Sequence, residues 1–99
     1  MNAHDVSILF SALAHPTRVE VLMALLNTPK SGIPMGELSD ALGIPASTLK
    51  HHLLEMEQAG IVCRIQEGRK SLLSVDTAKL DNVVELMRRI CCPSACPLD

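Results

Sequence analysis

The chain has 99 residues, 47% hydrophobic and 20% charged, which predicts one compact globular domain, excludes a second and favours a partner subunit that completes a small core. A single Phe, with no Trp or Tyr, excludes an aromatic platform on which single-stranded nucleic acid could stack. The formal net charge of -2 excludes a generally basic protein, so any contact with duplex DNA must come from a local cluster of Lys and Arg.

The amino-terminal segment shows no targeting signal. It lacks a basic region, a small-residue cleavage site and an apolar run of transmembrane length, so we expect a cytoplasmic protein without a membrane partner. In that reducing compartment the 4 cysteines are not expected to form structural disulfides. Three of them lie in the last nine residues, which indicates metal or redox chemistry.

Two helices are predicted first. Apolar residues at positions i, i+3, i+4 and i+7 predict a helix from about Asp5 to Ala14, and its apolar stripe consists of Val6, Leu9, Phe10 and Leu13. Pro16 suits the first turn of a second helix, and the apolar spacing continues from there to Leu26. A cluster of turn-forming residues at 28–32 ends this helix.

The next two predicted helices form a pair around a glycine. Residues 35–42 are predicted as a short third helix, which Gly43 ends. A fourth helix is predicted over residues 45–59, because proline suits its start and Gly60 its end. Two short helices joined by a tight glycine turn are typical of a helix-turn-helix.

A β-hairpin is predicted after the fourth helix. The apolar residues there alternate with a period of two, which predicts two strands joined by a tip at residues 66–70. Cys63 is in phase with Ile61 and Ile65 on the first strand. We therefore expect Cys63 to be a buried, inert thiol and not a metal ligand.

The last predicted helix begins near Asp76 or Thr77, either of which can cap it. One stripe of this helix carries Leu80, Val83, Val84, Met87 and Ile90. Pro93 ends the helix. We therefore expect a single domain over residues 1–92 and a cysteine-containing tail over residues 93–99.

The fourth helix has an apolar and a polar face. Leu49, Leu53 and Met56 point inward, and His52 at their edge is interpreted as a hydrogen-bonded structural residue. The candidate DNA-binding residues on the outward face are Ser47, Thr48, Lys50 and His51. Those on the hairpin are Arg64, Arg69 and Lys70. A polar helix face alone is more typical of a solvated surface, but a groove helix beside a basic wing favours DNA binding.

Five segments carry a resemblance to a known family: residues 13–18 (LAHPTR), 37–43 (ELSDALG), 47–53 (STLKHHL), 58–62 (QAGIV) and 67–69 (EGR). They resemble the ArsR/SmtB family of metal-responsive repressors over roughly residues 6–92. The resemblance implies a mainly α fold with a β-hairpin wing, the winged helix-turn-helix of order ααααββα. It also implies a homodimer that is not an enzyme, binds double-stranded operator DNA and releases it on binding an inducer.

In the ArsR/SmtB family the fourth helix enters the major groove, and the first and last helices form the dimer interface. The two apolar stripes described above suit that role. The resemblance therefore assigns to the dimer interface Val6, Leu9, Phe10, Leu13, Leu80, Val83, Val84 and Met87.

Two of the family's metal sites are missing from this sequence. The thiol pair of the third helix has no counterpart in residues 34–38, and no histidine for a zinc site lies between Asp76 and Ile90. A third arrangement, found in arsenic-responsive members, is a vicinal cysteine pair followed by another cysteine. It is matched here by Cys91, Cys92 and Cys96. The resemblance therefore implies a repressor of arsenic-resistance genes.

Three thiols at positions 91, 92 and 96 suit trivalent arsenic or antimony, because these soft ions keep a lone pair and accept three thiolates. Zinc prefers four ligands and fits less well. Cadmium, monovalent copper and a thiol switch that senses oxidants or sulfur species remain alternatives. A thiol oxidoreductase is a weaker one, because three residues separate Cys92 from Cys96 and no βαβ unit surrounds them. Apart from the inducer, no permanent cofactor is expected.

Overall fold

The computed structural model describes residues 2–91, and for residues 90 and 91 the backbone alone. Within that range, five helices accompany one three-stranded antiparallel sheet. The elements are α1 (Ala3–Leu13), α2 (Pro16–Leu26), β1 (Ile33–Pro34), α3 (Met35–Leu42), α4 (Ala46–Gln58), β2 (Val62–Glu67), β3 (Lys70–Val75) and α5 (Thr77–Cys91). This is the predicted winged helix-turn-helix, with β2 and β3 as the wing. The predicted tail, residues 93–99, lies outside the described residues.

Several helix ends depend on single residues. Gly43 ends α3 with φ +67, and Pro16 occupies the start of α2, both as predicted. The helix α1 begins earlier than predicted, because Oδ1 of Asn2 accepts a hydrogen bond from the backbone N–H of Asp5 at 2.9 Å. Asp76 caps α5 in the same way, by accepting a bond of 3.3 Å from the backbone of the first turn. Polar caps therefore fix where the first and last helices start.

The sheet has the strand order β1-β3-β2. The hairpin strands pair along their whole length, starting from Val62 opposite Val75. The additional strand β1 pairs Ile33 with Leu73. The sequence does not predict β1, because a strand of two residues cannot show an alternating pattern. This strand joins the start of α3 to the base of the wing.

The hydrophobic core lies between the helices and the inner face of the sheet. The predicted inward face of α4 is confirmed, because Leu49, Leu53 and Met56 are each 0% exposed. Burying one such side chain contributes about 1.5–3 kcal/mol, so these residues hold α4 firmly in place. The other buried apolar residues are Leu9, Ala12, Val21, Leu25, Leu38, Ala59, Ile61, Val62 and Leu73.

The prediction that Cys63 is buried is wrong, because its thiol is exposed. Ile61 precedes β2, and its carbonyl accepts a hydrogen bond from the backbone N–H of Asp76 at 2.7 Å. Ile61 and Val62 are both buried, so the phase of the strand is set by Val62. Cys63 and Ile65 then lie on the outer face of the sheet, where Ile65 is 47% exposed.

No single helix within residues 2–91 is long and apolar enough to cross a membrane. The helices α1 and α2 together have the length and composition of a span, but the chain bends by 97° between them. Each of the two also sends side chains into the core, with Leu9 1% and Val21 0% exposed.

Candidate nucleic-acid interface

The polar side of α4 is the first part of the candidate interface. All four of its predicted DNA-binding side chains are exposed: Ser47, Thr48, Lys50 and His51. We call these four side chains the α4 face. Hydroxyl, ammonium and imidazole groups bond both base edges and phosphates. Because the opposite side of α4 is fully buried, the α4 face is held in one orientation, as direct base reading requires.

The turn between α3 and α4 is fixed by hydrogen bonds around Ser39. The hydroxyl of Ser39 donates to the carbonyl of Ile44 at 2.6 Å, and the carbonyl of Ser39 accepts from the N–H of Gly43 at 2.9 Å. Gly43 adopts a left-handed backbone that other residues rarely tolerate. The angle between the two helices of the helix-turn-helix is therefore determined by the turn itself.

The amino end of α4 offers backbone donors that the sequence analysis missed. Pro45 is the N-cap, and among the described residues no side chain caps this helix. The first N–H groups of a helix have no partner inside the helix, and the helix dipole adds a partial positive charge. The first turn of α4 is therefore suited to a DNA phosphate beside Ser47 and Thr48. The signal in the sequence that could have revealed these donors was a proline at the N-cap position, where a capping side chain is usual.

The wing ends in a tight turn. Gly68 has φ +60 and forms the two-residue turn with Arg69. Glycine with positive φ at the first of these positions is typical of a type II′ hairpin. The side chain of Gln66 braces the turn, donating to the carbonyl of Gly68 at 3.1 Å and accepting from the hydroxyl of Ser71 at 2.8 Å. Arg69 and Lys70 are exposed, and we call these two residues the wing tip.

Arg64 differs from the other predicted wing residues, because an acidic side chain holds it. Its Nε and a terminal nitrogen each donate to the carboxylate of Glu57 at 3.0 Å. The two side chains are 24% and 22% exposed. This bidentate pair neutralises the guanidinium and directs it toward α4. The DNA contact predicted for Arg64 stays a prediction, and it would require this ion pair to open.

His52 has the structural role predicted for it. It is 7% exposed, and its Nδ1 accepts a hydrogen bond of 3.1 Å from Nε of Arg18. The ring centroid lies 4.7 Å from that of His15 and 5.8 Å from that of His51. Burial lowers the pKa of His52, and the positive charges of its neighbours His15, Arg18 and His51 lower it further. His52 is therefore neutral near neutral pH.

The comparisons with known proteins agree with this geometry. A family model described as a helix-turn-helix domain matches residues 13–63, more than half of the chain. HTH-type transcriptional regulator YgaV of Escherichia coli (strain K12) is 26% identical over 93% of this chain and 91% of that protein. The Biofilm growth-associated repressor of Agrobacterium fabrum (strain C58) is 31% identical over 91% of this chain and 74% of that protein. The chain belongs to the helix-turn-helix family of transcriptional regulators.

Solved structures share the fold of this helix-turn-helix regulator. HlyU from Vibrio cholerae N16961 has a TM-score of 0.73 at 26% identity, covering 92% of this chain and 96% of that chain. A structure described as reduced HlyU gives 0.71 at 26% identity, with 92% and 93% covered. A homodimeric winged helix-turn-helix DNA-binding domain from Mycobacterium bovis, described as a possible ArsR-family regulator, gives 0.70 at 22% identity, with 85% and 78% covered. The last likeness concerns the fold alone.

The predicted dimer interface of the regulator divides into exposed and covered residues. Phe10, Val84 and Met87 are 44%, 53% and 42% exposed, and we call these three side chains the α1–α5 face. The half-buried members of the predicted set are Val6, Leu13, Leu80 and Val83. Leu9 has to be removed from the set, because it is 1% exposed inside its own protomer and has no surface left to bury in a dimer.

A groove of about 560 Å³ runs between α1 and α5. Phe10 and Leu86 give it apolar walls, and Asn82, Glu85 and Arg89 give it a polar rim. An apolar centre with a polar edge is the usual composition of a protein–protein contact. Of the α1–α5 face, Phe10 alone lines the groove, so the groove is a separate surface on which another chain could pack.

The predicted inducer site lies at the carboxyl end of α5. Cys91 is the last described residue of α5, and its side chain is outside the description. Cys92 and Cys96 lie outside the described residues. Elsewhere in the described part of the chain, no three His, Cys, Asp or Glu side chains are grouped closely enough to hold a metal ion.

Proposed function

We propose that the chain is a dimeric repressor of the ArsR type that reads duplex operator DNA with α4 and touches phosphates with its wing. The observation that carries this proposal is the division of α4 into a fully buried apolar face and an exposed α4 face. A helix with this division fits the major groove with its polar side chains toward the bases. The family shown for the chain supports the same role.

Each part of the interface has its own task in this proposal. Lys50 and His51 donate to base edges, and the first turn of α4 holds a phosphate with Ser47 and Thr48. The wing tip contacts a neighbouring phosphate or the minor groove. These basic groups are few, and the whole chain has a net charge of -2 that adds no attraction to DNA. A dimer doubles their number and compensates for the acidic total.

The proposed dimer forms through the α1–α5 face and the groove beside it. Three large apolar side chains exposed on two helices favour a second copy of the chain as their cover. The homodimeric domain from Mycobacterium bovis has the same fold, which supports this arrangement. Two copies related by a twofold axis present their α4 helices about 34 Å apart, one turn of B-DNA.

Selection from a random duplex library tests DNA reading directly. We expect the purified protein to enrich a pseudo-palindromic sequence with two half-sites roughly 10 base pairs apart. The enriched duplex should bind at least about 1000-fold more tightly than unrelated duplex in the same salt. Failure to enrich any sequence would remove the proposed function. A control selection with Lys50→Ala should lose base preference within each half-site.

We further propose that trivalent arsenic or antimony is the inducer and that arsenic-resistance genes are the targets. Cys91, Cys92 and Cys96 supply three thiolates, the number that these ions accept. The site begins at the last residue of α5, whose exposed apolar residues belong to the proposed dimer interface. Capture of the ion at that end shifts the two protomers and alters the half-site spacing. A coupling of about 1–3 kcal/mol would lower operator affinity about 5- to 150-fold.

Titration of the operator complex with arsenite tests the inducer. We expect arsenite and antimonite to release the DNA, with cadmium and zinc acting more weakly. Cys91→Ser, Cys92→Ser and Cys96→Ser should each abolish release and leave DNA binding intact. Cys63→Ser is the matched control, because this exposed thiol belongs to β2 and not to the proposed site. Release that survives all three substitutions would contradict the proposed site.

A second candidate function is redox sensing through the same cysteines. The observation that favours it is the likeness to a structure described as reduced HlyU. Two thiols would lose two electrons and two protons to a peroxide or polysulfide and form a disulfide. Operator release by such an oxidant without metalloid, reversed by dithiothreitol, would favour this candidate. Release by arsenite under reducing conditions would favour the first.

A further inference from the structure

Arg18 joins three helices behind the α4 face. Its Nε donates to Nδ1 of His52 on α4 at 3.1 Å, and one terminal nitrogen donates to the carbonyl of Ala12 in α1 at 3.3 Å. Arg18 itself belongs to α2. The guanidinium therefore ties the recognition helix to both of the helices packed behind it.

The bond to His52 supplies something that apolar packing does not. Leu49, Leu53 and Met56 hold α4 at a fixed depth, but apolar contacts have no preferred direction. A hydrogen bond at the edge of the buried face resists rotation of α4 about its own axis. Side-chain tips lie about 5–6 Å from a helix axis, so a 10° rotation moves them by about 1 Å. That displacement is enough to spoil hydrogen bonds to base edges.

The bond also dictates the protonation of His52. An arginine N–H can only donate, so Nδ1 must be an acceptor and the ring proton must be on Nε2. Protonation at Nδ1 removes the acceptor and places an imidazolium against the guanidinium. Both consequences break the link between Arg18 and α4.

We propose that the Arg18–His52 bond positions α4 for operator reading, and that protonation of His52 breaks this bond and makes operator binding weaker in acid. Arg18 and His52 are positioning residues in this proposal, since they stand behind the α4 face. The inference rests on the proposed DNA reading by α4 and adds a pH dependence to it.

The surroundings of His52 favour the neutral ring. Three basic groups face it: His15, which immediately precedes α2, Arg18 on α2, and His51 on α4. The acidic side chain of Glu55 borders a groove with Arg18, and no salt bridge joins these two among the described residues. From α1, the side of this groove is formed by the uncharged Ser7 and Ser11. Among the described residues, no acidic side chain forms a salt bridge or hydrogen bond with His52 that would stabilise a charged ring.

Protonation of His52 should lower operator affinity in acid. Burial lowers the pKa of His52 in the folded protein, and in this proposal the operator-bound form, which keeps the bond from Arg18, opposes proton uptake further. Operator affinity should decrease by up to tenfold per pH unit once the pH falls below that pKa, the limit for one proton.

The test compares operator affinity at about pH 8 and about pH 5.5 at constant salt, in wild type and in His52→Asn. The amide oxygen of Asn can accept the bond from Arg18 at both pH values. We expect wild type to lose affinity in acid, by up to tenfold per pH unit below the pKa of His52, and His52→Asn to lose none. His4→Gln, which alters an exposed histidine on α1, should behave as wild type. Equal losses in wild type and His52→Asn, or no loss in wild type, would overturn the proposal.

Nuclear magnetic resonance of the wild-type protein tests the Arg18–His52 bond without DNA or variants. We expect the neutral His52 ring to carry its proton on Nε2, and the Nε–H signal of Arg18 to be protected from exchange until His52 titrates. A ring proton on Nδ1 at neutral pH would overturn the proposal even if the operator is found. If no operator is found while both signals behave as expected, the proposed function fails and the acid-sensitive bond stands.

Discussion

The two outward surfaces of the protomer differ in what holds them. The α4 face is polar, and everything behind it, from the core leucines to the Arg18–His52 bond, belongs to the same chain. The α1–α5 face is apolar, and its side chains Phe10, Val84 and Met87 are 44%, 53% and 42% exposed. A polar recognition surface can be completed within one protomer, whereas an apolar one indicates a missing partner.

The largest effect should come from charging the apolar surface. Val84→Glu places a carboxylate on each side of the proposed interface, where it would be buried without a partner. We expect the dimer to dissociate and operator affinity to fall by on the order of 100-fold, because a monomer engages one half-site. Sedimentation and operator titration measure the two quantities. Met23→Glu is the control, since Met23 on α2 is 60% exposed. A Val84→Glu protein that remains dimeric with full operator affinity would show that Val84 does not belong to the dimer interface.

The next effect concerns the α4 face. Lys50→Ala removes an ammonium that bonds base edges, so specific operator affinity should fall by about 1–3 kcal/mol while binding to unrelated duplex changes little. The dimer should be unaffected. Lys30→Ala removes another exposed lysine, in the turn before β1, and controls for the loss of one charge. If Lys50→Ala leaves base preference unchanged, α4 is not the reading helix.

A smaller effect is expected at the wing tip. Lys70→Ala should weaken binding to all duplexes by a similar factor. It should also reduce the slope of log affinity against log salt concentration by the amount that corresponds to about one phosphate contact. Glu67 lies opposite Lys70 in the hairpin register, so Glu67→Gln should have the opposite sign and tighten binding. Titrations over a range of salt concentrations measure both slopes. A loss confined to the operator sequence would show that the wing reads bases.

The smallest effect is expected at Cys63, which belongs to neither surface. Cys63→Ser should change the free energy of unfolding by less than about 0.5 kcal/mol, because the thiol is exposed. In a variant whose other three cysteines are replaced by Ser, native Cys63 should react readily with iodoacetamide. Protection that disappears only in denaturant would restore the buried position that simple alternation predicts.

Helix boundaries could be predicted where a residue has only one suitable conformation or position. Gly43 and Pro16 are of this kind, and both lie where the sequence places them. The start of α1 was less accessible, because Asn2 acts as a cap only when its side chain turns back onto Asp5. The strand β1 is too short to leave a periodic signal.

The site residues were harder to predict than the fold, because neighbours decide their roles. Periodicity groups Leu9 with Phe10, and only the packing of α1 shows that Leu9 is in the core while Phe10 is exposed. Arg64 has the composition of a phosphate ligand, yet Glu57 from α4 occupies it. The partner of His52 is Arg18, which is distant in sequence. Such pairings between distant residues leave no local pattern.

The central claim is that a twofold dimer reads DNA through two α4 helices in successive major grooves. Methylation interference on the selected operator tests it most directly, because guanine N7 lies in the major groove. The account predicts two patches of interference centred roughly 10 base pairs apart and a complex that contains two protomers. A single patch bound by one protomer, or binding that methylation of N7 leaves unchanged, would contradict it.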